Sequence, residues 1–392
     1  MEHTYYRDTR IEVDLDAIEH NITQFRRILP VETKILAAVK ADAYGHGAVT
    51  VSLAAISAGA SHLGVAFVDE GIQLREAQIR APVLVFGYIP PHAIEAALSF
   101  NLTFTVFDLN HVRQIEQVAQ RLRKTAKVHL KVDTGMGRLG IAPSEVISFI
   151  NQVNNLKWVE LEGIYTHFAT ADDENSDYFD HQLHLFEEIL QQLDELGIEI
   201  PLRHAANSAG ALRMKQKWCN LVRIGISMYG FQDVSNPDVK LKRALSLKSS
   251  ITQLKCLPKG SGISYGKTYT TSTDEWIATI PIGYGDGLPR HLSNKGTALV
   301  GGTRVPIVGR VCMDQVMLRV NKAMPVAVHD EVVWIGKQGA EEITADEIAE
   351  QIDTIHYEIV TRLGSRVPRL YFQNGQLVST RNALHSEEGN KR

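Results

Sequence analysis

Short apolar runs and longer amphipathic stretches alternate along the first 240 residues of the chain. The amphipathic stretches, such as 108–122 and 178–196, repeat their apolar side chains at the 3.6-residue period of a helix. Short apolar runs of the kind seen here are typical of strands buried on both faces of a parallel sheet. There are eight, at 35–39, 62–67, 83–86, 102–107, 128–132, 159–165, 202–205 and 221–224.

Eight successive β–α units favour a closed (β/α)8 TIM barrel, which has about 250 residues in typical cases. An open, doubly wound sheet of six or seven of these units is the alternative. From about residue 242 the pattern changes to short alternating runs separated by glycine and proline turns, which predicts a mainly β domain. One helix interrupts that domain at 344–353, with Thr344 as its N-cap.

These patterns predict an α/β chain with two domains, as a length of 392 residues also suggests. The TIM barrel is expected over 11–241 and the C-terminal β domain over 242–380, with residues 1–10 packing against the β domain. The polar end of the chain, 381–392, is expected to be a flexible tail.

Composition narrows the classes of function. A net charge of −4 argues against a general binder of nucleic acid or anionic membranes. The polar N-terminus has no apolar core of a signal peptide, and no apolar run is long enough to span a bilayer. The three cysteines are widely spaced in the sequence, in no metal-binding pattern. We therefore expect a cytoplasmic protein without a metal site.

Polar residues follow five of the predicted strands, where the active sites of TIM barrels lie. The most informative is Lys40, because burial at a strand end lowers the pKa of a lysine and suits it to form a Schiff base. A lysine whose amine reaches solvent from the strand end is the alternative. The other polar residues, in chain order, are Lys131, Arg138, His167, Asn207, Ser208 and Arg223. Gly225 and Ile226 follow Arg223 and offer free backbone N–H groups.

The segment after the eighth strand has the composition of a phosphate site. Gly225 allows backbone N–H groups to approach an anion closely, and Ser208, after the seventh strand, offers a hydroxyl and a possible helix cap. Loops after strands seven and eight often bind phosphate in barrels. The alternative is that Gly225 only makes a turn and Ser208 only caps a helix.

Two other motifs each have two possible interpretations. Residues 135–140 match G-x-G-x-x-G, a weak indication of a dinucleotide site, and we interpret this loop as a scaffold for Arg138. His167, His181 and His184 share one region, but His181 and His184 lie on a predicted helix face that looks exposed. Surface histidines are therefore favoured over a metal site.

Longer motifs resemble the alanine racemase family, in order and over nearly the whole chain from about residue 10 to 371. They are AVKADAYGHG (38–47), KVDTGMGRLG (131–140), HAANSAG (204–210), RIGISMYG (223–230), SYGKTY (264–269), IPIGYGDG (280–287) and GRVCMDQ (309–315). The resemblance implies a pyridoxal-phosphate enzyme of fold type III. It also implies a homodimer in which each active site uses both chains.

Residue roles follow from the resemblance, motif by motif. Lys40 would hold the cofactor as an internal aldimine, and Arg223 would face its pyridine nitrogen. Arg138 would bind the substrate carboxylate. Lys131 would carry a carbamate derived from CO2. His167 would lie beside the cofactor ring. The cofactor phosphate would be bound by Tyr44, Ser208, Gly225, Ile226 and Tyr357. Tyr265 and Met313 would be contributed to the site of the other subunit. The chain departs from the family pattern at His356, where asparagine is usual.

The resemblance implies interconversion of L- and D-alanine by two bases, Lys40 and Tyr265, to supply D-alanine for peptidoglycan. Tyr265 would need nearby positive charge, for which Arg138 and Arg290 are candidates. An arginine at the pyridine nitrogen should leave that nitrogen unprotonated and limit transamination. A serine or broad-spectrum racemase of the same fold is the nearest alternative. More distant ones are a basic amino-acid decarboxylase, a small pyridoxal-phosphate homeostasis protein and a dinucleotide oxidoreductase.

Overall fold

The computed structural model describes residues 5–214, 218–321 and 323–385. The chain divides into two compact units. The first comprises Ala17–Ala43 and Ala48–Arg243, and the second Met1–Asp16, Tyr44–Gly47 and Ala244–Arg392. Most of the expected flexible tail, residues 386–392, and residues 1–4 lie outside the described part of the chain.

Strands are numbered along the chain from β1 (Arg10–Asp14), which belongs to the second unit. The first unit is built on eight parallel strands, each within two residues of one of the predicted runs. They are β2 (Lys34–Ala38), β3 (His62–Val65), β4 (Val83–Val85), β5 (Thr103–Val106), β6 (Ala126–Lys131), β7 (Val159–Tyr165), β8 (Leu202–His204) and β9 (Leu221–Ile224).

The eight strands form a nearly closed barrel, in the order β8-β7-β6-β5-β4-β3-β2-β9. The first and last strands of the series pair in parallel, with Ile35 opposite Val222. Two backbone hydrogen bonds of 3.0 Å bridge the remaining gap, from Asn220 N to Arg203 O and from Arg223 N to Ala206 O. The TIM-barrel prediction is confirmed, and the open-sheet alternative is excluded because an open sheet would leave its outer strands unpaired.

Helices alternate with the barrel strands. Helix α6 begins where expected, because the Asp108 carboxylate accepts a hydrogen bond from His111 N at 3.0 Å and caps it. Four buried leucines inside the barrel, Leu36, Leu84, Leu202 and Leu221, pack with Phe86. The helices are α1 (Leu15–Ile28), α3 (Ala48–Ser57), α4 (Val68–Glu76), α5 (Ile94–Ser99), α6 (Leu109–Leu122), α7 (Val146–Val153), α8 (Asp177–Glu195) and α9 (Ser208–Arg213), with the turn α2 (Lys40–Tyr44).

The second unit is mainly β, as predicted. Its largest sheet has the order β16-β15-β18-β10-β1-β20-β21 with β19 beside β18, and two smaller sheets pair β11-β14-β17 and β12-β13. The strands are β10 (Leu245–Ser250), β11 (Gln253–Leu257), β12 (Gly262–Ile263), β13 (Tyr269–Thr270), β14 (Glu275–Ile280), β15 (Thr297–Val300), β16 (Thr303–Pro306), β17 (Val316–Val320), β18 (Glu331–Gln338), β19 (Glu341–Ile343), β20 (Arg369–Gln373) and β21 (Gln376–Arg381).

Two helices interrupt the described part of this unit, so the prediction of one is wrong. Helix α10 (Ala345–Gln351) is capped as expected by Thr344 Oγ1, which accepts from Glu347 N at 3.1 Å. Helix α11 (His356–Thr361) was not predicted, because six residues are too few to show a helical period. Short 3-10 turns lie at Pro91–Ala93, Pro143–Glu145, Ile226–Tyr229, Tyr265–Lys267, Tyr284–Asp286 and Arg290–Leu292.

Throughout the described residues, no helix combines the length and apolar character needed to cross a membrane.

Candidate active site

Lys40 stands at the start of a left-handed turn. Strand β2 ends at Ala38, and the next turn of chain, Ala41 to Tyr44, has φ values of 52° to 53°. A left-handed conformation costs about 1–2 kcal/mol for each residue that is not glycine. Specific contacts must therefore hold this turn in place.

Two carboxylates supply such contacts. Glu70 Oε1 accepts a hydrogen bond from Ala41 N at 2.7 Å, and its Oε2 accepts one from Ala66 N at 2.6 Å. Asp42 Oδ1 accepts from Ala48 N at 2.9 Å and ties the turn to helix α3. Burial, and then Arg138, lower the pKa of Lys40, whereas the charge of Glu70 raises it. Glu70 therefore affects both the position and the charge of the Lys40 amine.

Lys131 ends strand β6 and is buried, with 4% of its surface exposed. Its Nζ lies 5.5 Å from the ring centroid of Tyr165, and no described residue forms a hydrogen bond or salt bridge with it. Burial, followed by the charges of Arg138 and Arg223, lowers the pKa of Lys131 to about 8. A substantial share of this amine is therefore neutral, and nucleophilic, at mildly alkaline pH.

The glycine-rich loop after Lys131 is folded around Asp133. One oxygen of its carboxylate, Oδ1, accepts hydrogen bonds from Gly135 N and Gly137 N, both at 3.0 Å. The N–H groups that a dinucleotide pyrophosphate would require are thus already occupied. Arg138 is exposed on this loop and forms no salt bridge with the described residues. The loop acts as a scaffold that presents Arg138.

Arg223 is buried at the end of strand β9, with 5% of its surface exposed. Its Nη1 donates to His204 Nδ1 at 2.9 Å. Its Nη2 donates to Thr166 O at 2.9 Å, Ala205 O at 2.8 Å and His167 Nδ1 at 3.1 Å. Within the described chain no carboxylate pairs with this guanidinium, and none of the acceptors takes a hydrogen bond from its Nε–H. Nε is therefore available to a ligand.

Arg223 and its histidine neighbour have fixed charges. Burial lowers the pKa of Arg223 to about 10, which leaves the guanidinium protonated near neutral pH. Burial, and then the charge of Arg223, hold the pKa of His167 well below its ordinary value. His167 is therefore a neutral imidazole beside a cation, and its Nδ1 serves as an acceptor.

The predicted phosphate segment is built around the Ser208 hydroxyl. Ser208 Oγ accepts from Gly225 N at 2.9 Å and from Ser227 N at 3.4 Å, which leaves its own proton to donate. Ser208 does not cap helix α9; Asn207 does, because its Oδ1 accepts from Gly210 N at 2.8 Å. Gly225 N–H is directed at Ser208, whereas the buried N–H of Ile226 has no acceptor among the described residues.

Two tyrosines expected at the phosphate lie together within the second unit. The ring centroids of Tyr44 and Tyr357 are 6.2 Å apart, with the rings inclined at 51°. His356, the departure from the family pattern, lies nearly parallel to Tyr357 at 4.7 Å, and its Nδ1 is 3.2 Å from Asp346 Oδ1. His356 therefore supports the Tyr357 ring.

The expected contributors to another subunit's site are exposed in this chain. Tyr265 is 72% exposed and Met313 52% exposed. Tyr265 follows Ser264, which has a φ of 62° and whose Oγ donates to Arg310 O at 2.6 Å. Arg290, one of the cations proposed to act on Tyr265, is exposed. Arg310, which the sequence did not suggest, lies beside this turn, near Gly266.

Comparison with known proteins agrees with the fold and the motifs. The model of the alanine racemase N-terminal domain matches residues 13–233, and that of the alanine racemase C-terminal domain matches residues 244–371. The chain belongs to the alanine racemase family. Members of this family are pyridoxal-phosphate-dependent amino-acid racemases, and this chain is one of them.

Individual relatives of the family cover almost the whole chain. An alanine racemase from Halalkalibacterium halodurans is 46% identical over 395 residues, covering 98% of this chain and 100% of the relative. The crystal structure of alanine racemase from Bacillus anthracis with bound L-Ala-P has a TM-score of 0.92 and 45% identity, covering 97% of this chain and 99% of that one. A histidine racemase from Leuconostoc mesenteroides has a TM-score of 0.85 and 31% identity, with coverage of 95% and 99%.

The residues of the barrel unit fit the cofactor of the family. The Lys40 amine has a lowered pKa, as a Schiff base requires. The free Nε–H of Arg223 can donate to a pyridine nitrogen. No carboxylate of the described chain pairs with Arg223, so none is placed to protonate that pyridine nitrogen. The Ser208 hydroxyl and the Ile226 N–H are donors suited to a phosphate.

The barrel brings the sequence-predicted residues Lys40, Lys131, Arg138, His167 and Arg223 close enough to affect one another's charge. The sequence did not suggest Glu70, His204 or Arg310. Glu70 resembled an ordinary acidic residue in the first turn of a helix. No group of three possible metal ligands occurs in the described residues, and His181 and His184 are exposed.

Replacement of Glu70 by glutamine should lower the pKa of Lys40 further. The Glu70 carboxylate favours the charged ammonium, so its removal favours the neutral amine. Fluorodinitrobenzene modification of cofactor-free protein, followed by peptide mapping, measures the pH at which Lys40 becomes reactive. That pH should fall in Glu70→Gln and stay unchanged in the control Asp69→Asn, which alters the exposed neighbour on the same helix. An unchanged or higher pH in Glu70→Gln would contradict the role of Glu70.

Proposed function

We propose that the chain interconverts L-alanine and D-alanine through two bases, Lys40 on one face of Cα and Tyr265 on the other. The observation that carries the proposal is the group of cations at the end of the barrel strands. Lys40, Lys131 and Arg223 form no salt bridge with the described residues, and each has a lowered pKa. Such a site suits an anionic cofactor together with the carboxylate of an amino acid.

Inversion at Cα requires a proton to leave from one face and another to arrive at the opposite face. Bound pyridoxal phosphate supplies the acidity of the Cα–H by delocalising the charge left on carbon. Lys40 takes the proton from D-alanine, and Tyr265 delivers a proton to the opposite face to give L-alanine. In the reverse direction Tyr265 takes the proton from L-alanine and Lys40 delivers one to the other face. Two bases on opposite faces are the minimum for this reaction.

Arg223 limits how far charge can move away from Cα. A guanidinium that remains protonated donates a hydrogen bond to the pyridine nitrogen without transferring its proton. With Arg223 in this role less charge would leave Cα, and a proton delivered by Lys40 or Tyr265 would return to Cα rather than to another carbon. This arrangement favours racemisation over transamination.

Arg138 and the Met313 backbone hold the substrate carboxylate in this proposal. Arg138 is exposed on the loop that Asp133 orders, and it lacks an anionic partner among the described residues. The N–H of Met313 likewise has no acceptor in the described chain, while its carbonyl accepts from Gly285 N at 2.9 Å. Alanine is the substrate favoured by the relatives; a serine or broad-spectrum racemase is the alternative, and the similar histidine racemase shows that the fold admits larger side chains.

We further propose a cytoplasmic homodimer in which Tyr265 and Met313 complete the site of the other subunit. The exposure of both side chains in a single chain supports this assignment. The product, D-alanine, would supply peptidoglycan synthesis. The domain limits of 11–241 and 242–380 remain part of this proposal.

Deuterium uptake tests the two-base reaction. L-alanine incubated with the holoenzyme in deuterated water should become D-alanine carrying deuterium at Cα, with deuterium in both enantiomers at equilibrium. Lys40→Ala should abolish the reaction. Tyr265→Phe should slow it by about 10²–10⁴-fold, the usual loss for a general acid–base group. Lys34→Ala is the control, because Lys34 is exposed at the start of β2, the strand that leads to Lys40. Exchange with retained configuration would show that only one face is served.

Subunit mixing tests the shared site. In a hybrid of Lys40→Ala and Tyr265→Ala subunits, one site would receive both mutations and the other neither. Equal mixing of the two inactive variants should then restore about a quarter of the wild-type activity, because half of the dimers are hybrids and each has one intact site. No recovery, with hybrid dimers shown by native mass spectrometry, would place Tyr265 in its own subunit's site.

Lys131 should react with CO2. The Lys131 ammonium first loses one proton to give the neutral amine. The amine attacks the carbon of CO2, a C–N bond forms as one C=O double bond becomes a C–O single bond, and a second proton is released from nitrogen. The cation thereby becomes a carbamate anion able to hold Arg138. Because the pKa of Lys131 is about 8, modification should increase as pH rises through that value. Removal of CO2 should raise KM for alanine more than it lowers kcat, and bicarbonate should reverse this. Electron density for an unmodified lysine in crystals grown with bicarbonate would contradict the assignment.

A further inference from the structure

A buried polar chain leads from Arg223 through the barrel core to strand β7. Arg223 Nη1 is 2.9 Å from His204 Nδ1, and His204 Nε2 is 2.9 Å from His129 Nδ1. His129 Nε2 is 3.3 Å from Glu162 Oε2, and Lys127 Nζ is 2.5 Å from Glu162 Oε1. Both histidines are buried, whereas the side chain of Lys127 is half-exposed.

The direction of every hydrogen bond in this polar chain follows from the groups at its two ends, Arg223 and Glu162. A guanidinium can only donate, so His204 Nδ1 must accept. If His204 is neutral, its proton is on Nε2 and is donated to His129 Nδ1. His129 in turn keeps its proton on Nε2 and donates it to Glu162. The carboxylate is the final acceptor, so each imidazole has a single tautomer consistent with both of its neighbours.

The charges of these groups agree with that pattern. Burial, and then Arg223, hold the pKa of His204 well below its ordinary value, and burial also lowers that of His129. Burial would raise the pKa of Glu162, but hydrogen bonds from His129 and Lys127 lower it to about 2. His62, which also interacts with this group, has its pKa lowered to about 4 by burial and then by Lys34. Near neutral pH this polar chain therefore contains neutral histidines and an ionised Glu162.

The backbone is shaped to admit the chain. Strand β7 has one more residue than β6 at this level: Val128 pairs with Leu161 and His129 with Gly163, so Glu162 is the bulged residue. A bulge turns a side chain that the regular alternation would direct elsewhere. A Cβ on Gly163 would lie 2.7 Å from His129 Nδ1 and Cε1, so only glycine leaves room for the imidazole.

Packing fixes the middle of the chain. The ring of Tyr165 is parallel to that of His204, with centroids 4.6 Å apart. The Tyr165 hydroxyl is in turn 2.8 Å from Thr105 Oγ1 inside the barrel. His204 is thus held in its plane, and only its two nitrogens remain to be set by hydrogen bonds.

We propose that Glu162, acting through His129 and His204, is a positioning residue that fixes the Arg223 guanidinium with its Nε–H facing the cofactor site. Glu162 sets the tautomer of His129, and His129 in turn sets the tautomer of His204. His204 therefore always offers an unprotonated Nδ1 to Arg223. The chain orients and does not conduct a proton, because Arg223 donates without losing its proton. The proposal depends on the proposed function only for its effect on turnover.

The test is the histidine tautomers of the ¹⁵N-histidine-labelled holoenzyme, read from ¹⁵N chemical shifts. We expect Nδ1 unprotonated and Nε2 protonated on both His129 and His204. In Glu162→Leu the single tautomers should be lost, and kcat should fall by about 10–100-fold, a typical cost for a supporting hydrogen-bond partner, with KM little changed. Glu162→Gln, which keeps an acceptor oxygen for His129, should keep both tautomers and restore kcat to within a few-fold of wild type.

Glu160→Leu is the matched control, because Glu160 is exposed on the same strand and should affect neither measurement. A proton on His204 Nδ1 in the unmodified protein would overturn the proposal whether or not Glu162→Leu folds. Wild-type tautomers in Glu162→Leu, with or without a fall in kcat, would also overturn it. The expected tautomers in a protein that fails to racemise alanine would contradict the proposed function and leave the chain of hydrogen bonds intact.

Discussion

The guanidinium of Arg223 is buried at the end of a barrel strand and is satisfied by neutral acceptors only. A buried cation without a carboxylate is costly unless its donors are well paired. Two backbone carbonyls and two imidazoles meet that need, and they come from strand β8 and the segments just after β7 and β8. The positions of these elements are therefore tied to one side chain.

The positive charge of Arg223 also sets the chemistry of its neighbours. Together with burial it keeps His167 and His204 neutral and contributes to the lowered pKa of Lys131. Lys40 is affected mainly by burial and by Arg138, and Glu70 offsets part of this effect. The site thus contains amines with lowered pKa values next to an arginine that remains charged. That combination allows lysines to act as nucleophiles or bases while an anionic cofactor is still attracted.

Much of this arrangement could be predicted from the sequence. The eight barrel strands were located because parallel strands buried on both faces are marked by compact apolar runs. Thr344 caps its helix as expected, since capping depends on residues three positions apart. The placement of Lys40, Lys131 and Arg223 together follows from the rule that barrel strands end on one rim.

Features that depend on contacts distant in sequence could not be predicted. The left-handed turn after Lys40 contains no glycine between Ala41 and Tyr44, and it exists because Glu70 holds Ala41 N. The bulge at Glu162 depends on the register between β6 and β7, which no local pattern reveals. Ser208 was expected as a possible helix cap, but Asn207 is the cap, because the Ser208 hydroxyl accepts a hydrogen bond from Gly225 N after the next strand.

We assign Lys40 as the cofactor lysine, and Lys131 is its natural competitor because burial lowers the pKa of both amines. Borohydride reduction of the holoenzyme, followed by digestion and mass spectrometry, fixes the cofactor permanently to whichever lysine holds it. We predict a single reduced pyridoxyl group, on Lys40, with Lys131 unlabelled. A pyridoxyl group on Lys131, or on a lysine outside the barrel rim, would contradict this account of the site.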